Sequence, residues 1–346
     1  MPFAAVLASL AVGAIFIMAV GRNPVQVYWA MLADTFGSMY GVGQVLFKAT
    51  PLIFTGLSVA LAFRTGLFNI GAEGQLYLGS LATAWAGVAL SGLPAFLLVP
   101  ACVLAGFLAG GIWGAIPGLL KAKLGVHEVI NTIMMNFIAL ALCNYVVQII
   151  AVSETVHTNP IAAAARIPRL SALMPSFAAS PVNLSLLLAL AAGVGVWWLL
   201  WKTPLGYELR AVGLNPHAAR YAGISVEFST VASMGLAGGL AGLTGVNFVL
   251  GYKGYFEQGF SEGIGFMGIA VALLGRNHPA GIVLAALLFG TLSEGRLAIN
   301  ATGVPKELVE ILQAIIIIFV VVSSTVFEEY LVRLRRRDDL QVAQAA

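Results

Sequence analysis

Apolar runs of about 20 residues alternate with short polar breaks along this chain, the pattern of helices that cross a bilayer. Ten runs can be marked, over residues 3–20, 44–63, 70–90, 94–120, 129–150, 184–201, 228–250, 264–274, 279–297 and 308–326. The eighth is short: Gly263, Gly265 and Gly268 crowd its start and Arg276-Asn277-His278-Pro279 ends it. The third opens with the irregular, glycine-rich stretch from Gly66 to Gln75. Irregular backbone at membrane depth persists only where protein or a watery cavity satisfies it. The two breaks fall in opposite halves of the chain, the trace of an inverted repeat around a midplane site. The predicted fold is therefore all-α, a polytopic membrane protein of about ten transmembrane helices with an inverted repeat and broken helices. It forms a single transmembrane domain over 1–346, with a polar segment at 202–227 and a long loop at 151–183.

That polar segment has its own punctuation. Gly213 reads as a helix stop, Asn215 and Pro216 as an N-cap and first helical position, and Gly223 as a second stop. Two short helices lying end to end on one side of the membrane are expected, a shaped platform for a partner to grip.

Composition supports the membrane assignment: 60% of the 346 residues are hydrophobic and only 10% charged, against ~25% charged in soluble domains. Mean hydropathy is +0.93. The net charge of +3 is too small for a nucleic-acid surface, so the basic residues matter by position. The first apolar run has neither a basic leader nor a small-residue cleavage pattern, and reads as a span. Ten spans place both termini on one side. With that side cytoplasmic, eleven of the 18 Lys and Arg face inward, and so does the 202–227 platform. Cys102 and Cys143 sit in apolar runs and read as small buried hydrophobes.

Polar side chains at membrane depth are costly and tend to line interior paths. Asn69, Glu73 and Gln75 cluster in the third span, Asn131 and Asn136 in the fifth, and Asn247 near the end of the seventh. Glu73 has two readings, a wall of a translocation cavity or a carboxylate accepting the free N–H groups of a broken helix. Asn131 and Asn136 point to different helix faces, so one can face a path while the other holds helices together. Glu294 and Arg296 read as an interfacial ion-pair network.

Absences narrow the function. None of the six lysines follows a glycine, so no phosphate loop of the G-x-x-x-x-G-K-[ST] type is present. No HExxH or paired CxxC occurs, and no hydrolytic triad is visible. If ATP drives transport here, the ATPase is a separate subunit, and no cofactor is expected on this chain.

Four stretches resemble the permease subunits of ABC importers of the nucleoside and simple-sugar group, most nearly the guanosine-type nucleoside uptake permeases. They are Ala49-Thr-Pro-Leu with Arg64-Thr-Gly-Leu-Phe-Asn-Ile-Gly-Ala-Glu-Gly-Gln75, Gly125-Val-His-Glu-Val-Ile-Asn-Thr-Ile-Met-Met-Asn136, the run from Thr203 to Ile224, and Gly268 to Pro279. The resemblance implies a second homologous permease completing the pore. It also implies a cytoplasmic ABC ATPase with two nucleotide-binding halves and an external substrate-binding lipoprotein. The site would be the bacterial inner membrane, among its lipids, with no nucleic acid involved. It makes 202–227 the ATPase-coupling segment, with Gly206, Tyr207, Arg210, Ala211, Gly213, Asn215, Pro216, Ala219, Arg220 and Gly223 as its motif positions. Asn69, Glu73, Gln75, Asn131, Asn136 and Asn247 are the candidates for the translocation path. The implied function is inward transport of a small molecule, a nucleoside and specifically a purine nucleoside, by alternating access. The alternatives are a simple-sugar ABC permease and an ion-coupled transporter working through Glu73 or Glu294.

Overall fold

No water reaches the bilayer core to hydrogen-bond the backbone, so the apolar runs close their bonds internally as helices. The structure, a computed structural model, describes residues 2–150, 152, 155–177, 180–301, 303–305, 307–319 and 322. The α-helices are α1 (Pro2–Ala19), α2 (Pro24–Phe36), α3 (Met39–Arg64), α4 (Ala72–Ala89), α5 (Ala95–Leu124) and α6 (Glu128–Ile150). They continue as α7 (Ser185–Lys202), α8 (Pro204–Leu214), α9 (Pro216–Tyr221), α10 (Val226–Gly242), α11 (Ile264–Leu274) and α12 (Pro279–Ala301). A further helix covers 307–319. Among the described residues, six helices are long and apolar enough to cross a membrane, or seven if the bent pair α1–α2 is one span. The protein is thus an all-helical, polytopic membrane protein. Part of the tenth predicted span, Lys306 and the basic tail at Arg333, Arg335, Arg336 and Arg337 lie outside the described residues.

The chain divides into two units, residues 35–294 and the terminal segments before and after them. In the terminal unit, α1 and α2 meet at a bend of 114°. Asn23 Oδ1 accepts the Val25 N–H at 2.9 Å to start α2, and Tyr28 Oη donates to the Leu10 carbonyl at 2.8 Å. α2 was absent from the predicted spans because 13 residues carrying Gln26 and Asp34 are too short and polar to cross. Arg296 pairs with Glu310 in the same unit.

In the central unit, α5 and α10 share a glycine seam. Gly106, Gly110 and Gly114 recur every fourth residue on α5, opposite Gly238 and Gly242 of α10, and a Cβ on Gly238 would strike the Gly110 carbonyl. Such spacing lets two backbones touch, which drives helix association where lipid removes the hydrophobic incentive. α10 then widens into a π-helical segment (Val246–Lys253) that ends at Gly254. Cys102 and Cys143 are buried and free.

Two sets of contacts mark the two sides of this unit. At one, Arg64 donates to the Asn277 carbonyl at 3.1–3.2 Å, and Gly213 packs on the Arg64 carbonyl. This gathers the ends of α3, α8 and α11. At the other, the described part of the 151–183 loop is pinned by long-range bonds: Thr158 N–H to the Phe256 carbonyl, Ile161 N–H to Gly254, and Ala162 N–H to Gly87.

Candidate translocation and docking sites

α11 is only 11 residues long and starts inside the protein, so its first N–H groups need acceptors. Gly263 turns the chain into it at φ +85°, a left-handed conformation. Glu73, in the first turn of α4, supplies the acceptors. Its Oε2 takes the Gly265 N–H at 2.7 Å, and its Oε1 takes the Ser261 hydroxyl at 2.6 Å. Gly265 lies so close to the Glu73 backbone that a Cβ there would clash. Of the two readings of Glu73, this geometry realises the second, although the helix it caps is α11 and not its own. The run Gly259-Phe-Ser-Glu-Gly263 also matches the G-x-S-x-G spacing of a nucleophile elbow. Ser261 is nevertheless a capping residue: it donates to Glu73 and accepts the Ile264 N–H at 3.3 Å, and no strand precedes it.

The other predicted polar residues brace the neighbouring break. Asn69 and Gln75 form a reciprocal amide pair at 2.8 and 3.0 Å, while Asn69 Oδ1 also accepts the Gly71 N–H at 3.1 Å. Asn136 reaches over from α6: its Oδ1 accepts the Gly74 N–H at 2.8 Å and its Nδ2 donates to the Ile70 carbonyl at 2.9 Å. Asn247 sits elsewhere, in the π-helical segment, receiving Asn183 Nδ2 at 3.0 Å and Ser185 Oγ at 2.9 Å. Asn131 is half-buried, and its Nδ2 has no hydrogen-bond partner among the described residues. Asn69, Glu73, Gln75 and Asn136 are thus brought together, and Asn131 and Asn247 are not. Glu294 is buried and pairs with Lys48 at 2.7 Å.

One exposed surface that carries polar groups was missed by the sequence reading. Ile130, Met134, Phe137, Ala141, Asn144, Tyr145 and Gln148 are all exposed on α6. Apart from the adjacent Asn144 and Tyr145, they stand three or four residues apart, which puts them on one stripe. Exposed amides on a spanning helix cannot face hydrocarbon cheaply, so this stripe needs a watery or protein neighbour. The signal was present: Asn144 and Gln148 stand four apart in an apolar run.

The platform is built as two capped helices. Thr203 Oγ1 accepts the Gly206 N–H at 3.1 Å to start α8. Asn215 Oδ1 accepts the N–H groups of His217 and Ala218 at 3.0 and 3.1 Å to start α9, with Pro216 at its first position. Gly223 ends α9 at φ +81°. There the Ile224 N–H returns to the Ala219 carbonyl and the Gly223 N–H to Arg220, the Schellman pairing. Gly213 is not a stop. α8 continues to Leu214, and Gly213 serves instead to let α8 pack against the Arg64 carbonyl. Gly206 similarly lies against the Leu199 carbonyl. Leu209, Val212 and Ala219 face inward and are buried, and Ala211 is half-buried. Tyr207 is 61% exposed, Leu214 89% and Tyr221 96%, beside exposed Arg220. Arg210 is half-buried, with its Nε buried and unpartnered among the described residues.

Spanning helices, paired internal breaks and an exposed helical platform define a multi-pass membrane transport subunit. The chain belongs to the family described as the branched-chain amino acid transport system / permease component, whose model matches residues 41–321. It is a permease component of an ABC importer and is not itself catalytic. It is 44% identical over 329 residues to the guanosine ABC transporter permease protein NupP of Bacillus subtilis, covering 94% of this chain and 93% of that one. It is 40% identical to the nucleoside ABC transporter permease protein NupB of Lactococcus lactis, covering 93% and 90%. Identity is also 40% to the glucose ABC transporter permease protein TsgB13 of Haloferax volcanii, covering 95% and 88%.

Proposed function

We propose that this chain imports a nucleoside, specifically a purine nucleoside, as the permease of an ATP-driven system. The observation that carries the reading is the α8–α9 platform: a rigid, locally capped surface that exposes Tyr207, Leu214 and Tyr221 to solvent, on a chain with no phosphate loop of its own. Aromatic anchors of this kind are what buried docking sites use. Docked in a cytoplasmic ABC ATPase with two nucleotide-binding halves, the platform would pass nucleotide-driven closure to α7 and α10, the helices that flank it. The chain crosses the bacterial inner membrane ten times as an inverted repeat, with both termini cytoplasmic. An external lipoprotein delivers substrate on the side of the 151–183 loop.

The α6 stripe supports a second, homologous permease across a shared path. Its amides Asn144 and Gln148 and its rings Phe137 and Tyr145 suit a ligand with hydrogen-bonding edges and a flat aromatic face. This chemistry favours a nucleoside over a sugar, as do the names of two of the three relatives. The ion-coupled alternative has less support, because Glu73 and Glu294 are both engaged, one by N–H and O–H donors and the other by Lys48.

Uptake of radiolabelled guanosine and glucose into proteoliposomes, with and without ATP and the ATPase subunit, tests the reading. Guanosine uptake that needs both supports it. Uptake by the lone chain down an ion gradient overturns it, and glucose uptake alone moves the substrate to sugars. Gln148→Leu should lower guanosine uptake about tenfold, the net worth of one lost hydrogen bond, with the melting temperature unchanged.

A further inference from the structure

Where α7 meets the start of α12, the structure leaves a cleft of about 370 Å³, a size that holds small-molecule ligands elsewhere. Its walls are apolar: Leu190, Val194 and Trp197 from α7, with Pro279, Ala280 and Val283 from α12. Gly193 forms its floor, and a Cβ there would meet nothing nearer than Leu57 Cδ1 at 4.0 Å. Val194 is 65% exposed and Trp197 40%, so the cleft opens on the flank of two spanning helices.

Its platform end carries positive charge. Lys202 Nζ sits 5.6 Å from the Trp197 ring centroid. His278 packs against Trp201 at 5.4 Å, and the Arg64 guanidinium lies 5.3 Å from the Trp201 centroid. Neither Lys202 nor Arg64 forms an ion pair among the described residues. His278 is exposed, and its Nδ1 accepts the Ala280 N–H at 3.3 Å. The neutral ring therefore carries its proton on Nε2, a donor. Arg276 and Asn277, both at positive φ, fold the tight turn that sets His278 at this rim.

We propose that the cleft seats an acyl chain of an anionic phospholipid, whose phosphate is held by Lys202 and His278. An apolar slot at membrane depth with a cationic mouth is complementary to that amphiphile and to no soluble anion, which would leave the slot unused. Tryptophan at the mouth suits the headgroup level. The lipid would bear directly on the platform, since Lys202 is followed by Thr203, the cap of α8. The inference rests on the reading that the platform faces the cytoplasm, whose leaflet carries negative charge.

Native mass spectrometry of the purified full chain, titrated with phosphatidylglycerol and with phosphatidylcholine, tests it. Phosphatidylglycerol should be retained at least about tenfold more tightly. Lys202→Gln should weaken it about fivefold, the equivalent of ~1 kcal/mol per basic residue, and leave phosphatidylcholine unchanged. Lys202→Arg should restore it. Gly193→Leu should fill the cleft and weaken both lipids, whereas Gly195→Leu, where a Cβ also meets nothing within 4 Å but which does not line the cleft, should bind as wild type. Equal retention of the two lipids overturns the proposal. So does phosphatidylglycerol binding that survives Gly193→Leu and yields to inorganic phosphate, which marks a headgroup-only site. Crosslinking of Gly193→Cys to another chain also overturns it, by showing that protein covers the cleft. The measurement needs neither ATPase nor substrate, so its failure leaves the importer reading standing, and failure of ATP-driven uptake leaves lipid selectivity measurable.

Discussion

The starts of α11 and α9 solve one problem in opposite ways. Each short helix has free N–H groups that need an oxygen. At α9 the oxygen belongs to Asn215, the residue just before the helix. At α11 it belongs to Glu73, 192 residues away in sequence. A local cap finishes its helix and leaves the rest of the surface open, as Tyr221 and Leu214 show. A distant cap does more: it fastens α4 to α11 at the point where both would otherwise be broken in lipid. Polarity on this protein is thus of two kinds, closed upon itself in the core and left open at the platform and on α6.

The largest effect should follow from opening the closed kind. Glu73→Ala leaves the Ser261 hydroxyl and the Gly265 N–H without acceptors in a water-poor interior, at about 1–3 kcal/mol each. Purified in detergent, the variant should lose about 2–6 kcal/mol of stability or fail to accumulate. Glu73→Gln keeps one acceptor and should lose about half as much. A Glu73→Ala protein that melts like wild type and is defective only in uptake would erase the distinction, moving Glu73 among the path-lining residues.

The open kind should behave in reverse. Tyr221→Ala removes a side chain that touches almost nothing in the isolated permease, so its melting temperature should not move. If the platform docks an ATPase, the complex should weaken by about 2 kcal/mol, the loss typical of an aromatic anchor, measured by titration of the ATPase onto immobilised permease. Unchanged affinity would point to Tyr207 and Leu214 as the anchors, and unchanged affinity in all three would remove the docking role.

The same contrast explains what the sequence made legible. Asn215-Pro216 and Gly223 could be read because their hydrogen bonds span two to five residues, within reach of local pattern. Gly213 was misread because its purpose is long-range: a glycine admits the Arg64 carbonyl as readily as it ends a helix. Glu73 could be placed in a break, but Ser261 and Gly265 as its partners follow only from tertiary packing. α2 is not legible as a helix because its polarity resembles that of a loop, and the α6 stripe is not because Asn144 and Gln148 look no different in sequence from Asn131 and Asn136, whose surroundings only packing sets. The glycine seam of α5 and α10 was visible as composition, but its pairing required the two helices to be side by side.

The smallest effect tests the local cap itself. Asn215→Ala removes the acceptor for the His217 and Ala218 N–H groups, a loss of about 1 kcal/mol for an N-cap. The whole permease should melt within error of wild type, because α9 contributes only Ala219 to the buried surface. A six-residue helix cannot hold its shape without the cap, so amide exchange at 217–221 should quicken several-fold. If the platform couples the chain to an ATPase, coupling should weaken with it: more ATP hydrolysed per substrate imported, with ATPase affinity reduced less than by Tyr221→Ala. Asn215→Asp and Asn215→Ser, which also cap, should restore both readouts. Faster exchange with unchanged coupling would mean that α9 need only be present, not rigid, and would confine force transmission to α8, whose cap at Thr203 is separate.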